Sequence, residues 1–250
     1  MEVHHHPNLH HKTKKFKEYF LEFLMIFLAV SLGFVAENLR EHLSDRSKEK
    51  EYIKAFVRNL QDDTAQLKHV ISVDSKQVNG IDSFLQLAHL PVRIDSNRKQ
   101  FYYIAIKYFY NSATFKSNDA TLLQLKSTGD YRLIEKDHVA DSLSRYDAGN
   151  NNIYDQGNYY SDYFKDILSM FDEIMDLTAF NDTTLVNHNK FTGKPLPPLT
   201  GDSIKFRKLF NKVFDFRGIT TGYIEFNMKP QLENATRLIA YLKNEYDIDE

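Results

Sequence analysis

Cysteine is absent from this chain of 250 residues. The protein therefore has no disulfide framework, no thiolate zinc site and no cysteine nucleophile. Glycine and proline are scarce, at nine and six residues, so long stretches contain no helix breaker. No neighbouring segments show the apolar–polar alternation of a sheet, whereas apolar residues recur every three or four positions in most segments. We predict an all-α protein.

A strong charge of either sign is also missing. Lys and Arg number 32 against 34 Asp and Glu, a formal net charge of -2 at pH 7, and both signs are interspersed. No global field would attract nucleic acid, so we expect no nucleic-acid partner. The 42% hydrophobic and 14% aromatic content is enough to bury a sizeable core.

Catalytic signatures are missing as well. The sequence contains no Gly-rich phosphate loop, no GxSxG elbow and no HExxH motif. By position, His42, Asp62 and Asp63 fall on a solvated helix face. DAGNNNIYDQGN, residues 147–158, has the composition of a loop but lacks the order of acidic ligands that calcium requires. We expect no enzyme and no cofactor.

One apolar run stands out, EFLMIFLAVSLGFVAE at residues 22–37. Residues 19–36 as a helix would span about 27 Å, close to the roughly 30 Å of a hydrocarbon core. The run is apolar on every face, which favours lipid over a soluble core. We predict a transmembrane helix over residues 18–37.

Two features of the run bear on this prediction: its likeness to a signal peptide and the charge of Glu22. A cleaved signal peptide is the rival interpretation, but cleavage after Ala36 would place bulky Phe34 where a small residue is needed, so we expect an uncleaved anchor. Glu22 is the costly residue, since a carboxylate at the bilayer centre costs on the order of 3 kcal/mol. It is either a boundary residue that reaches the headgroups or a residue with a partner-binding or proton-linked role.

Basic residues flank the run on both sides, and those that precede it lie closer. They are Lys12, Lys14, Lys15 and Lys17. The positive-inside rule then places the N-terminus in the cytoplasm. We predict a basic, His-rich cytoplasmic tail at 1–17, a charged stalk at 38–52, and an extracytoplasmic antiparallel helical bundle at 53–250 with a long loop at 181–202.

The predicted tail contains clustered histidines. They are His4, His5, His6, His10 and His11. Imidazoles can bind zinc, nickel or copper, but without a carboxylate or thiolate partner the binding is weak and unselective. We interpret the tail as a basic, pH-dependent segment against the membrane surface, with metal binding as the alternative.

Two periodic stripes predict long, coiled-coil-like helices. The first predicts one helix over about residues 18–79 that Gly80 interrupts; its positions are Leu39, Leu43, Arg46, Lys50, Ile53, Val57, Leu60, Thr64, Leu67, Ile71, Asp74 and Val78. Its polar part is the stalk, and packing should begin near Ile53. The second predicts one helix over about residues 136–177; its positions are Leu143, Tyr146, Asn150, Ile153, Gly157, Tyr160, Phe164, Ile167, Phe171 and Ile174. Asn150 and Gly157 would form a polar and a small layer that fix the register of this seam.

Further helices are predicted along the rest of the chain, among them the following three. FYYIAIKYFY, residues 101–110, is so aromatic that a buried core helix is the expected cause. Ser203 should cap the next helix, and a last helix at about 220–246 contains Pro230 as a kink or first-turn residue.

Four stretches resemble a known family. HKTKKFKEYFLEFLMIFLAVSLGFVAENLREHL, followed by KEKEYIKAFVRNLQDDTAQL, and later LLQLKSTGDYRLI and ATRLIAYLKNEYDID, resemble an uncharacterised family of single-span membrane proteins known mainly from the Bacteroidota. The resemblance runs from end to end and is strongest over residues 12–65. It implies a membrane-anchored helical protein of unknown function, in a bacterial cytoplasmic membrane, and supplies no catalytic residues.

Two functions follow as hypotheses. The first is a non-enzymatic protein whose bundle binds a membrane or envelope partner or a second copy of itself. The second is a small-ligand sensor that signals through a membrane partner. A sensor should show a pocket of a few hundred Å³ with convergent polar groups, whereas an assembly protein should show an exposed apolar stripe.

Overall fold

The structure is a computed structural model that describes residues 15–179 and 196–249. Six α-helices occur among these residues: α1 Phe16–Leu85, α2 Asp95–Phe109, α3 Ala120–Thr128, α4 Asp137–Asp172, α5 Ser203–Tyr223 and α6 Lys229–Glu245. Short 3-10 turns lie at Gln86–His89, Asp130–Leu133 and Leu177–Ala179, and a π-helical turn, Ile224–Met228, joins α5 to α6. The all-α prediction is confirmed.

The chain divides into two units, Met1–Glu51 and Tyr52–Glu250. The described part of the first unit is the N-terminal portion of α1, in which Glu49 is the buried exception among mostly exposed residues. The second unit contains the bundle. Ile53 is the first of the buried apolar residues along the chain, at the position where the sequence predicted packing to begin.

Helix α4 packs against α5, the π-helical turn and α6 in the bundle. Lys212 of α5 pairs with Asp166 of α4 at 2.7 Å. At the other end of α4, Lys136 pairs with Glu245 at 2.6 Å. Residue numbers therefore fall along α5 and α6 as they rise along α4, so these neighbours are antiparallel.

Helix α1 runs parallel to α4, a direction that the sequence did not indicate. The Tyr146 hydroxyl donates to Asp63 and the Tyr160 hydroxyl donates to Gln77, and in each pair the partners are 83 positions apart. A constant offset in residue number means that both helices advance in the same direction. The chain between them, with α2 and α3, provides the return.

Two apolar clusters form the core. Cluster A draws its members from residues 53–60, 122–146 and 235–242. Cluster B draws its members from residues 67–87, 101–115, 153–175 and 196–228. Both clusters are therefore built from α1, α4 and the C-terminal part of the chain, and they succeed each other along α1 and α4.

Phe84 of α1 lies at the centre of the aromatic part of cluster B. Its ring centroid is 4.9 Å from that of Phe101, 5.5 Å from Phe109, 5.4 Å from Phe171 and 5.2 Å from Phe210. Edge-on and tilted aromatic pairs of this kind contribute about 0.5–1.5 kcal/mol beyond their burial. The FYYIAIKYFY segment is thus a core helix, as expected; its buried residues are Phe101, Tyr102, Ala105, Ile106 and Phe109.

Gly80 does not interrupt the first helix, contrary to the prediction. Helix α1 continues to Leu85, and an ideal Cβ on Gly80 would lie 2.1 Å from Cγ of Tyr108. Glycine is there because the Tyr108 ring covers the helix backbone at that point, so the missing side chain serves packing rather than helix termination.

The second stripe prevails over its loop-like composition. The DAGNNNIYDQGN segment lies within α4, because the apolar residues at helical spacing bury one face of the whole segment. The helix ends at Asp172, five residues before the predicted end at 177.

Asp202, and not Ser203, caps α5. Its Oδ1 atom accepts hydrogen bonds from the backbone N–H groups of Ile204 and Lys205 at 3.0 and 2.9 Å, which is the geometry of an N-cap side chain. Pro230 lies in the first turn of α6, directly after the π-helical turn.

We expect Gly80→Ala to destabilise the protein by about 1–3 kcal/mol, because the new methyl group overlaps the Tyr108 ring. Helix propensity alone would give the opposite sign, by up to about 1 kcal/mol. Gly218→Ala is the matched control, since an added Cβ there meets nothing within 4 Å. Thermal unfolding of the full chain in detergent measures both, and equal stability of Gly80→Ala and wild type would contradict the packing role.

Candidate functional site

Apolar side chains cover every face of α1 over residues 16–35, which we call the anchor segment. All its large apolar side chains except Leu24 are exposed, by 47% to 84%. No residue of its most apolar 18-residue window is buried. One helix of the protein is therefore long and apolar enough to cross a membrane.

The sequence-predicted residues near the anchor segment are only partly described. Glu22 lies on α1 and is partly buried, and Lys15 and Lys17 lie at the start of the same helix. Lys12 and Lys14 fall outside the described residues, as do His4, His5, His6, His10 and His11. Within residues 15–179 and 196–249, no group of three or more His, Cys, Asp or Glu side chains could hold a metal ion.

The predicted seam faces the interior of the bundle. Eight of its ten residues are buried, namely Leu143, Tyr146, Asn150, Ile153, Tyr160, Ile167, Phe171 and Ile174. Gly157 and Phe164 are partly buried. The seam thus packs inside one chain, so it is not the exposed stripe that self-assembly would require.

A layer of polar side chains lies where cluster A meets cluster B. Helices α1, α4 and α6 each contribute one residue at that point, and these are Asp63, Asn150 and Gln231, exposed by 1%, 4% and 5%. Buried polar groups are tolerated only when they are hydrogen-bonded. We call these three residues the polar layer.

Asp63 is buried, so its predicted place on a solvated face was wrong. The Tyr146 hydroxyl donates to its Oδ2 at 2.7 Å, and the backbone N–H of Asn118 donates to its Oδ1 at 2.6 Å. Burial raises the pKa of Asp63 and these two donors oppose that rise. The prediction failed because the first stripe placed Thr64 on the buried face of α1. In the structure Asp63 lies on that face, and Thr64 is only partly buried.

Gln231 joins α6 to α4. Its Nε2 atom donates to the Tyr146 carbonyl at 2.9 Å and to Asn150 Oδ1 at 2.7 Å. A Cβ at Gly149 would lie 2.2 Å from Gln231 Oε1, so glycine is what allows this close approach. Asn150 thus forms a polar layer in the seam, as the sequence predicted. The sequence did not show that its partner would be Gln231 on α6.

Asp74 is the exception among the buried polar residues. It is 1% exposed, and neither carboxylate oxygen has a hydrogen-bond partner among the described residues. Loss of hydration raises its pKa to about 7. A carboxyl group in such a place stays protonated and neutral until the pH approaches that value.

The groups near Asp74 come from three helices. On α1 itself Gln77 accepts from the Tyr160 hydroxyl at 2.6 Å. On α5 the Tyr223 hydroxyl donates to the Ile153 carbonyl at 3.3 Å. Burial first, and then the charge of Asp74, raise the pKa values of Tyr160 and Tyr223, the latter to about 12. Asp74 was visible in the sequence as an acid on an otherwise apolar part of the first stripe.

Two tyrosines lie close enough to Asp74 for its charge to act on them. These are Tyr160 and Tyr223, and because their pKa values are raised both hydroxyls stay neutral in the physiological range. Comparison of the chain with protein-family models, curated proteins and solved structures finds no match.

Asp74 should make stability fall as the pH rises. In the folded protein this carboxyl has a pKa of about 7, against an ordinary 3.8, so it keeps a proton that the unfolded chain releases above pH 4. The resulting loss of folding stability grows as the pH rises to 7 and then levels off. Asp74→Asn removes the titration. We expect its free energy of unfolding, relative to wild type, to increase by about 3 kcal/mol between pH 5 and pH 8.

Urea titrations of the full chain at both pH values measure this difference. Asp155→Asn, at an exposed acid on α4, is the control and should show the same difference from wild type at both. A pH-independent difference for Asp74→Asn would mean that the carboxyl is hydrated or paired in the folded protein.

Proposed function

We propose that this protein is a non-enzymatic, single-pass membrane protein whose helical bundle binds a protein partner. The anchor segment carries the proposal. Burying one large apolar side chain is worth about 1.5–3 kcal/mol. The exposed fractions of thirteen such residues over 16–35 therefore leave about 12–24 kcal/mol of burial unrealised in water, comparable with or above the 5–15 kcal/mol by which a whole domain is stable. A bilayer supplies that burial.

We further propose a bacterial cytoplasmic membrane, with the N-terminus in the cytoplasm and the bundle outside. The lysines before the anchor segment support this orientation through the positive-inside rule. Resemblance to the Bacteroidota family of single-span membrane proteins supports the choice of membrane. Glu22 then lies one turn inside the span, at the depth where a carboxylate can reach the headgroups.

A stripe on α5 and the π-helical turn, exposed except at the partly buried Gly222, supports partner binding. Phe214 and Phe226 are exposed by 64% and 81%, and Gly218 and Gly222 lie between them at intervals of four residues. Two aromatic side chains that flank small residues give another helix both a groove and apolar contacts. We call these four residues the exposed stripe.

A sensor of a small ligand is the second candidate. It is supported by an open cleft of about 620 Å³ in the bundle, within the usual volume of ligand sites. A sensor with this architecture would also need a membrane partner to carry the signal.

Cysteine labelling tests the anchoring and the orientation, because the chain contains no native cysteine. We expect Ser169→Cys, at an exposed bundle position, to react with a membrane-impermeant maleimide in intact spheroplasts. Thr13→Cys should react only after permeabilisation, and both variants should stay in the membrane on carbonate extraction. The reverse labelling pattern would refute the orientation, and extraction of the protein would refute the anchor.

Photocrosslinking tests partner binding. A benzoylphenylalanine at position 226 should give a specific crosslinked product in native membranes, whereas one at Tyr159, also exposed and aromatic, should not. The mass of the product distinguishes a second copy of the chain from a different protein. A Glu22→Gln variant in the same experiment shows whether Glu22 contributes, and absence of any product from position 226 would contradict the role of the exposed stripe.

A further inference from the structure

The open cleft has an aromatic floor and an aliphatic wall. Phe206 and Phe210 of α5 contribute the floor, and Leu90 and Val92 contribute the facing wall. Phe206 is held against Phe101 at a centroid distance of 6.0 Å, and Phe210 against Phe84 at 5.2 Å. The floor is therefore fixed by cluster B rather than free to collapse.

Both charged side chains of the cleft are cationic. They are Arg93 and Arg207, and within residues 15–179 and 196–249 no acidic residue lines the cleft. Arg207 is exposed and has no hydrogen bond or ion pair with any described residue. An unpaired guanidinium beside apolar surface offers donors that match a carboxylate.

The nearby acids are already engaged. Asp95 pairs with Arg98, Glu173 pairs with Lys205 at 2.9 Å, and Asp202 accepts from the first N–H groups of α5. None of these carboxylates pairs with an arginine of the cleft. The cleft therefore keeps the positive charge of Arg93 and Arg207.

Arg93 is held in place by the backbone. Its Nη2 atom donates to the Gly201 carbonyl at 2.6 Å, which leaves most of its five N–H donors free. Gly201 has a φ of +138°, a conformation that favours glycine and that sets the direction of this carbonyl. The guanidinium is thus positioned before any ligand arrives, which lowers the entropy cost of binding.

From these contacts we propose that the cleft binds a small organic carboxylate with an apolar body. The apolar part lies on Phe206 and Phe210, and the arginines bind the carboxylate. For its biological role this site rests on the second proposed function, the sensor, because it supplies the ligand class that such a sensor would detect. The site itself does not depend on the membrane orientation of the chain.

The test uses the full chain in nanodiscs with 4-phenylbutanoate as the probe and its neutral amide, 4-phenylbutanamide, as the comparison. Equilibrium dialysis against protein-free nanodiscs subtracts partition into lipid. We expect saturable binding of one carboxylate per chain, at least tenfold tighter than the amide. Arg207→Gln should weaken carboxylate binding about tenfold, because a charge-assisted hydrogen bond is lost.

Lys208→Gln is the matched control, since it removes a neighbouring exposed charge that does not line the cleft; it should bind as wild type does. Arg207 has no hydrogen bond or ion pair with any described residue, so its replacement should leave thermal unfolding unchanged. Equal binding of acid and amide, or undiminished binding by Arg207→Gln, would overturn the proposal. So would absence of saturable binding to the wild type, and none of these results bears on the cysteine labelling that tests the anchor.

Discussion

The need of buried polar groups for hydrogen-bond partners determines how this bundle is assembled. Asp63, Asn150 and Gln231 lie between two apolar clusters, on three different helices. Apolar contacts alone would tolerate a shift of one helix along another by a turn, because one apolar side chain can then occupy the place of the next. A shift would leave each polar group buried without its partner, at about 1–3 kcal/mol apiece. The layer therefore fixes the register of α1 and α6 on α4.

Asp74 departs from that rule within the same bundle. Satisfied polar groups rigidify a core, whereas an unsatisfied acid lowers its stability by an amount that depends on pH. The π-helical turn begins directly after Tyr223. Tyr223 is close enough to Asp74 for the charge of Asp74 to raise the pKa of the Tyr223 hydroxyl. Such turns are frequent at functional sites, and this one also carries the exposed Phe226. Tyr223, whose pKa responds to the charge of Asp74, and Phe226 therefore lie three positions apart on one helical stretch.

Periodicity made the architecture predictable. Repeats of three and four residues gave both long helices, including the segment at 147–158 whose composition resembles a loop, because burial of one face outweighs weak propensities. What periodicity could not give was long-range pairing. Gly80 is typical of a helix end, and only the position of Tyr108 on another helix shows why it lies inside one. Asp63 and Thr64 are adjacent, and the choice between them depends on where Tyr146 lies.

The same distinction separates the two surfaces for which a function is proposed. The anchor segment was predictable because lipid is a solvent, and a solvent acts on composition and length rather than on particular contacts. The cleft was not, since it joins residues 88–93 to a face of α5 more than a hundred positions away. Its arginines lie in ordinary polar surroundings in the sequence. They become a candidate site only because folding places them beside Phe206 and Phe210 while the acids around them take other partners.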